Sequence, residues 1–389
     1  MRIAYLLPGV GISGGVGVVL QHVNRLKKRG HDVVLLTQSY ETDTHWFPNQ
    51  NVEVYYFLDC PYQIDVLIAT GWSTAFDVAK IKSKHKCYFV QSDETRFFPK
   101  EDKNYHLAYL SYCMDFNYFT EAKWIVKWLK NFSRDASYVP NGLDEKIFFE
   151  TKPFAEKGTK TRILLEGPID IPYKGMEDAF QAVTELDEDI EVWCVSGAGQ
   201  PKKEWRCDRF FEKVQMEDMK KIYSSCDILL KMSRVEGFFG PPLEMMACGG
   251  VSIVSKVSGY DEYIVDGQNA VVVEERDVNG AKKAIKKLIH DKEFYNLLQT
   301  NGKRTVEEWN WERSIDMLEE FIKSLDSKTY YNHQLNDSLN HIYYNSIQNT
   351  NVAIAEDMVL FEVLQKRPKL MKLIRQVFTL LKRIKTKFL

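Results

Sequence analysis

The sequence predicts an α/β protein built from two parallel-sheet halves that face each other across a cleft, followed by a helical tail. Three observations carry that reading. Short apolar runs alternate with longer amphipathic ones, the pattern of parallel strands covered by helices. The alternation pauses in a polar stretch at 150–161, which holds Pro153 and Gly158 and reads as a linker, and then restarts. The chain has 389 residues, which at roughly 100–200 residues per domain suits two domains.

In the first half, Ile3–Leu7 reads as a strand. Gly14–Arg29 reads as a glycine-rich turn running into a helix, with Val18, Val19, His22, Val23 and Leu26 on one face. Val33–Thr37, Val52–Tyr56, Val66–Ala69 and Tyr88–Val90 follow as strands, and Glu121–Leu129 as a helix. After the linker the order is strand Ile163–Leu165, helix Met176–Val183, strand Glu191–Val195, helix Met216–Tyr223, strand Ile228–Lys231, helix Pro241–Cys248, and strands Val251–Val254 and Ala270–Val273. Helices fill 277–325. The expected organisation is therefore one Rossmann-like domain at 1–150, a second at 161–325, and a helical tail at 326–389.

Composition narrows the function. Hydrophobic residues make up 44% and charged residues 27%, a globular balance, and the net charge of −2 lacks the basic footprint of a nucleic-acid binder. The charge is uneven: 363–389 hold nine Lys/Arg and no acid, which leaves the rest of the chain acidic. Within the tail a helix is expected at 353–365 and another from Pro368 onward. The second has apolar residues at 370, 373, 374, 377, 378, 381, 384 and 388, one helix face. A basic amphipathic helix over 366–389 suits an anionic membrane surface; packing on the acidic body is the competing reading. No run approaches the ~18 apolar residues of a membrane span, and the apolar start is too short for a signal-peptide core. The seven cysteines have irregular spacing and no C-x-x-C, as expected of buried free thiols in a reducing cytosol. A cytoplasmic protein, peripheral at the inner face of the cell membrane, is the expectation.

Two segments carry chemistry. Gly9, Gly11 and Gly14 form a G-x-G-x-x-G after the first strand, but no acid ends the second strand to hold a dinucleotide ribose. The run continues through Gly15 and Gly17 into a helix start, a loop that lets backbone N–H groups approach a ligand. The more informative segment is 233–249. Here Glu236 and Glu244 stand in an E-x7-E pattern around Gly237, Phe238, Phe239 and Gly240, with Pro241 and Pro242 opening a helix. Such a turn offers N–H groups and a helix dipole to a diphosphate. Glu244 could accept bonds from two ribose hydroxyls and Glu236 from a sugar; a solvated acid and a helix cap are the alternatives.

This segment resembles the E-x7-E region of the GT-B-fold, family-4 retaining glycosyltransferases, a resemblance that extends over roughly residues 1–325. Other positions agree: Pro140-Asn141-Gly142-Leu143-Asp144 with Phe148, Lys174-Gly175, Gly197-x-Gly199, Asp227, Gly259-x-x-Glu262, Asp266-Gly267, and Gly14-Gly15-x-Gly17. The resemblance implies that Lys174 contacts the donor diphosphate, that Gly197 and Gly199 line the nucleobase, and that Gly14, Gly15 and Gly17 close on the donor. Two departures stand out. Where the family has Gly-Arg this chain has Gly167-Pro168, so phosphate binding would lean on Lys174, Arg234 and backbone N–H groups. The family's histidine after the strand ending at Val90 is replaced by Gln91-Ser92-Asp93-Glu94-Thr95-Arg96-Phe97-Phe98-Pro99, a string that resembles a rhamnosyltransferase-like branch of surface-glycan synthesis. Gln91 and Glu94 would face the acceptor, with Asp93 or Glu94 assisting proton transfer; loop hydrogen bonding is their other possible role. Asp187-Glu188-Asp189 reads as a turn, and neither a metal nor a cofactor is expected. The resemblance thus implies a retaining, metal-independent transferase. It would move a sugar from a nucleotide-diphosphate donor to a glycan or lipid-linked acceptor, as in polysaccharide biosynthesis. A non-catalytic scaffold that binds sugar nucleotides, a GT-B-like epimerase and an NAD-dependent enzyme are the alternatives.

Overall fold

The structure is a computed structural model that describes residues 1–327 and 331–347. Seven strands form the first sheet: β1 (Arg2–Leu7), β2 (Asp32–Thr37), β3 (Val54–Tyr56), β4 (Ile64–Ala69), β5 (Ser83–Val90), β6 (Asn117–Thr120) and β7 (Ala136–Tyr138). Their order is β3-β2-β1-β4-β5-β6-β7, and every pairing is parallel. The helices between them are α1 (Gly14–Lys28), α2 (Trp72–Lys80), α3 (Lys103–Ser111) and α4 (Lys123–Leu129). The second sheet has β8 (Thr161–Glu166), β9 (Ile190–Ser196), β10 (Arg209–Glu212), β11 (Ile228–Lys231), β12 (Val251–Ser255) and β13 (Val271–Val273). Its order is β10-β9-β8-β11-β12-β13, again all parallel. α5 (Met176–Thr184), α6 (Met216–Ser225), α7 (Gly240–Ala247), α8 (Val278–His290) and α9 (Lys292–Glu308) accompany it.

Strands buried on both faces need nearly continuous apolar sequence. β1 and β4 meet that need, with Ile3, Tyr5, Val66 and Ile68 fully buried beside Phe89 and Phe119, which stack at 4.7 Å. The second core gathers Ile163, Leu165, Phe180, Val192, Leu230 and Ile253. Each sheet reverses its winding once, between β1 and β4 and between β8 and β11. In open α/β sheets ligands bind beyond the strand carboxyl ends at such switch points, so the topology selects Leu7–Gly15, Glu166–Gly175 and Lys231–Gly240 before any motif is invoked.

The path of the chain after 308 departs from the expected boundary. α10 (Trp311–Ser324) does not stay with the second sheet. Its Ile315, Leu318, Phe321 and Ile322 enter the first core, with Phe321 4.8 Å from Phe119, and Arg29 of the first half pairs with Glu312 and Asp316. The apolar face of α10 predicts a buried helix, but nothing in its sequence says which sheet it covers. The outward and return crossings lie side by side, with the Leu143 N–H donating to the Trp309 carbonyl at 2.8 Å. A second compact unit begins at His333; its described part, 333–347, is helical. The basic helix expected at 366–389 and the helix expected at 353–365 lie outside the described residues. Among the described residues no helix is long and apolar enough to cross a membrane.

Candidate functional site

The glycine-rich turn after β11 packs against the first half. Glu236 lies in the turn, and α7 opens at Gly240 with Pro241 and Pro242 in its first turn. Gly237 is required by close approach: a Cβ there would collide with the Gln91 carbonyl oxygen and stand 2.7 Å from Glu121 Oε1. Gln91 follows β5 in the first half, and its side-chain Oε1 lies 3.2 Å from where a Cβ on Gly15 would sit. The predicted acceptor-side residue and the predicted donor turn are thus in contact. Gly14, Gly15 and Gly17 form the start of α1, where Ser13 caps the Val16 N–H at 3.3 Å. Gly17 faces Met216 of the second half.

Lys174 ends a short 3-10 turn, Pro172–Lys174, and Gly175 follows in the left-handed region at φ 63°. A side chain at Gly175 would also strike the Met232 carbonyl, so the lysine is presented on a turn that only glycine can close. Its Nζ donates to both carboxylate oxygens of Glu236 at 2.9 Å. The sequence placed these two residues 62 positions apart; the fold makes them an ion pair whose carboxylate is only 10% exposed. Glu244, on α7, accepts from the Tyr223 hydroxyl at 2.9 Å. Burial first, then the nearby Glu166 carboxylate, push its pKa up to about 7.

Other predicted residues occupy different surroundings. Arg234 is not a free cation: it pairs with Asp178 in the first turn of α5 at 2.7 Å, and its carbonyl accepts from Arg96. Phe239 is fully buried in the core, so its ring cannot line a ligand. The turn also offers fewer donors than 237–241 suggests. Pro241 has no N–H, the Gly240 N–H returns to the Phe238 carbonyl, and the Phe238 N–H donates to Glu121 Oε1 at 2.9 Å. Gly237 and Phe239 keep the remaining N–H groups. Gly197 stands open, whereas Gly199, at φ 79°, packs against Asp170.

In the first half, Asp93 accepts from the Thr95 N–H at 3.1 Å as a turn residue, and burial raises its pKa. Glu94 accepts from the Trp72 N–H at 2.6 Å, which satisfies the first N–H of α2, and burial brings its pKa to about 7. The rest of that string reaches the second half. Arg96 donates to Ser258 at 2.6 Å, and Phe97 stacks on Tyr173 at 5.2 Å.

Three further residues belong to the site. Glu121 was expected to begin a helix; α4 instead starts at Lys123, and Glu121 remains in the turn after β6. Lys231 and Glu166 pair at the carboxyl ends of β11 and β8, the switch point of the second sheet, with Lys231 only 3% exposed. An acid directly after an apolar strand, as in Asn117-Tyr118-Phe119-Thr120-Glu121, is the signal that could have found Glu121. A charged residue closing an apolar strand is the equivalent signal for the other two. A cavity of about 480 Å³ lies among Tyr138, Pro140, Glu262, Trp309 and Arg313, where the chain crosses between the halves; none of the predicted donor residues lines it.

Residues 150–305 match the family described as glycosyl transferases group 1. An uncharacterized glycosyltransferase of Methanocaldococcus jannaschii is 24% identical over 197 residues, covering 48% of this chain and 53% of that protein. The chain spans about half the length of the two relatives it matches in that organism. A serotype-specific mannosyltransferase of Escherichia coli is 27% identical over 112 residues, 28% of this chain and 14% of that one. The Anabaena protein HepE, solved with UDP and glucose, superposes with a TM-score of 0.70 at 13% identity, covering 84% of this chain and all of that one (100%). The fold is that of the GT-B glycosyltransferases.

Proposed function

We propose that the protein is a glycosyltransferase that takes a sugar from a nucleotide-diphosphate donor. The observation that carries this reading is the pairing of Lys174, on the turn before α5, with Glu236, on the turn before α7; both stand at the carboxyl edge of the second sheet, where the neighbouring Gly237 meets Gln91 of the first half. A donor diphosphate would compete for Lys174 and release Glu236 to accept from a hydroxyl of the sugar. Glu244 would hold the ribose, and the N–H groups of Gly237 and Phe239 with the α7 dipole would add positive potential where the leaving phosphate gains charge. Contact between the halves excludes water that would otherwise hydrolyse the donor.

Retention and metal independence go with this reading. A front-face route lets the departing phosphate take the acceptor proton, so no strong protein base is required. Glu94, whose pKa lies near neutrality, is suited to assist, whereas Asp93 is committed to its turn. The acceptor is a glycan or lipid-linked sugar, as in surface-polysaccharide synthesis; the likeness to a serotype-specific mannosyltransferase and the string 91–99 support this. The basic stretch at 366–389 would hold the enzyme at the inner face of the membrane, where a lipid-linked acceptor resides. The test is donor turnover with UDP-, GDP-, dTDP- and ADP-sugars and a lipid-linked acceptor, with and without EDTA. One donor should be consumed at the same rate under both conditions. Loss of turnover with EDTA would overturn metal independence, and consumption of none would overturn the transferase reading.

A further inference from the structure

One peptide unit in the site is gripped at both ends by the opposite half of the molecule. The carbonyl of Gly237 accepts from the indole Nε1 of Trp124 at 3.0 Å. The N–H of the same peptide, on Phe238, donates to Glu121 Oε1 at 2.9 Å. Glu121 directly follows β6, and Trp124 lies in the first turn of α4, so both belong to the first half. Glu121 is only 5% exposed, and its other oxygen accepts from Asn141 Nδ2 at 2.8 Å. Gly259 closes the far side, since a Cβ there would collide with the Gly237 carbonyl and stand 2.9 Å from Trp124 Nε1.

We propose that Glu121 and Trp124 are positioning residues: together they fix the Gly237–Phe238 peptide, and through it the adjoining Glu236, only when the two halves are closed. This deepens the transferase reading above and rests on it for its kinetic consequence. A peptide held at one end can rotate about its flanking bonds; held at both ends it has one orientation. Glu236 directly precedes that peptide, so the clamp limits the movement of the backbone from which its carboxylate reaches Lys174. The site is therefore completed by residues that touch neither donor nor acceptor, and opening the halves removes both anchors together.

The role of Glu121 is hydrogen bonding rather than charge. Burial raises its pKa to about 8, with Glu236 and Glu262 adding to the rise, so a neutral side chain suits the position. Asn141 Oδ1 is buried without a partner among the described residues. A glutamine at 121 can therefore accept from Phe238 and donate to Asn141 once that amide turns over.

The experiment compares Glu121→Ala, Glu121→Gln and Trp124→Phe with the wild type. It reads the donor KM and kcat, the affinity for the free nucleoside diphosphate, and the amide exchange of 236–240. The alanine and phenylalanine variants should lower kcat by on the order of 10²-fold while nucleoside diphosphate affinity stays within about twofold, a change of only ~0.4 kcal/mol. Exchange at the Phe238 amide should accelerate in the alanine variant. The glutamine variant should behave as wild type in every readout. Unchanged kcat in Glu121→Ala, equal losses in nucleotide affinity and kcat, or a glutamine variant as damaged as the alanine one would each overturn the assignment. If the wild type itself turns over no sugar nucleotide, the transferase reading fails separately. The clamp is then judged by exchange, and equal rates in wild type and Glu121→Ala would overturn it.

Discussion

Replacing Glu244 by Gln should make the protein more stable at alkaline pH and worse at holding a nucleotide. Glu244 accepts from Tyr223, and its pKa is raised from 4.5 to about 7, chiefly by burial. Below pH 4.5 the carboxyl is protonated in both folded and unfolded chains and contributes no pH dependence. Between 4.5 and about 7 the unfolded chain ionises while the folded one keeps its proton. The folded state then binds more protons, and stability falls as pH rises. Above about 7 both forms are ionised and the loss is complete. The shift from 4.5 to about 7, at 1.36 kcal/mol per unit, sets a ceiling of about 3 kcal/mol. Glutamine keeps an acceptor for Tyr223 and carries no charge, so it escapes this loss. Urea unfolding of both proteins from pH 4 to pH 8.5 should show a gap that widens in favour of Glu244→Gln and levels off near pH 8. Calorimetry at pH 8 should show the same variant binding the cognate nucleoside diphosphate more weakly, by roughly 1.5–3 kcal/mol, the range for hydrogen bonds to a charged group. Parallel pH profiles would refute the argument that burial strains this carboxylate, and unchanged nucleotide affinity would remove it from the ribose site.

Three further perturbations probe Lys174, Gly237 and the basic stretch. Lys174→Ala should raise the donor dissociation constant. It should also destabilise the fold by about 1–3 kcal/mol, because it leaves the nearly buried Glu236 without its partner; thermal melts should show that loss shrinking when Glu236→Gln is added. Gly237→Ala should push Gln91 and the turn apart, costing about 1–3 kcal/mol by overpacking, and small-angle scattering should show a larger radius of gyration than wild type. Truncation after Glu362 should abolish low-salt co-sedimentation with phosphatidylglycerol vesicles, which the full chain should show and high salt should reverse; equal sedimentation of the two proteins would leave the basic stretch a structural role.

The sequence made the halves legible because parallel strands buried on both faces are long apolar runs. Ile3–Leu7 and Ile228–Lys231 illustrate this, and both fall within a residue of β1 and β11. It hid β7 and β10, which are short strands at the edges of their sheets and carry Ser137 or Arg209 and Glu212 among few apolar residues. It hid the destination of α10, because an apolar helix face does not name its partner. Within the site, glycine and proline spacing exposed the 233–249 turn, since those residues have few other uses. Pairings were less legible. Lys174 with Glu236, Arg234 with Asp178 and Glu121 with Phe238 join positions 56 to 117 residues apart, and charge alone does not say which acid a base will find. Arg234 shows the cost, because the sequence offered it as a phosphate cation and the fold neutralises it.

In the proposed mode of binding the second half holds a nucleotide diphosphate through Lys174, with Glu236 released to the sugar. Calorimetric titration of the wild type and of Lys174→Ala with matched nucleoside mono- and diphosphates tests it most directly. The wild type should prefer the diphosphate of at least one base by tenfold or more, equivalent to about 1.4 kcal/mol, and Lys174→Ala should lose most of that preference. Equal affinity for mono- and diphosphate in the wild type, or an undiminished preference in Lys174→Ala, would contradict it.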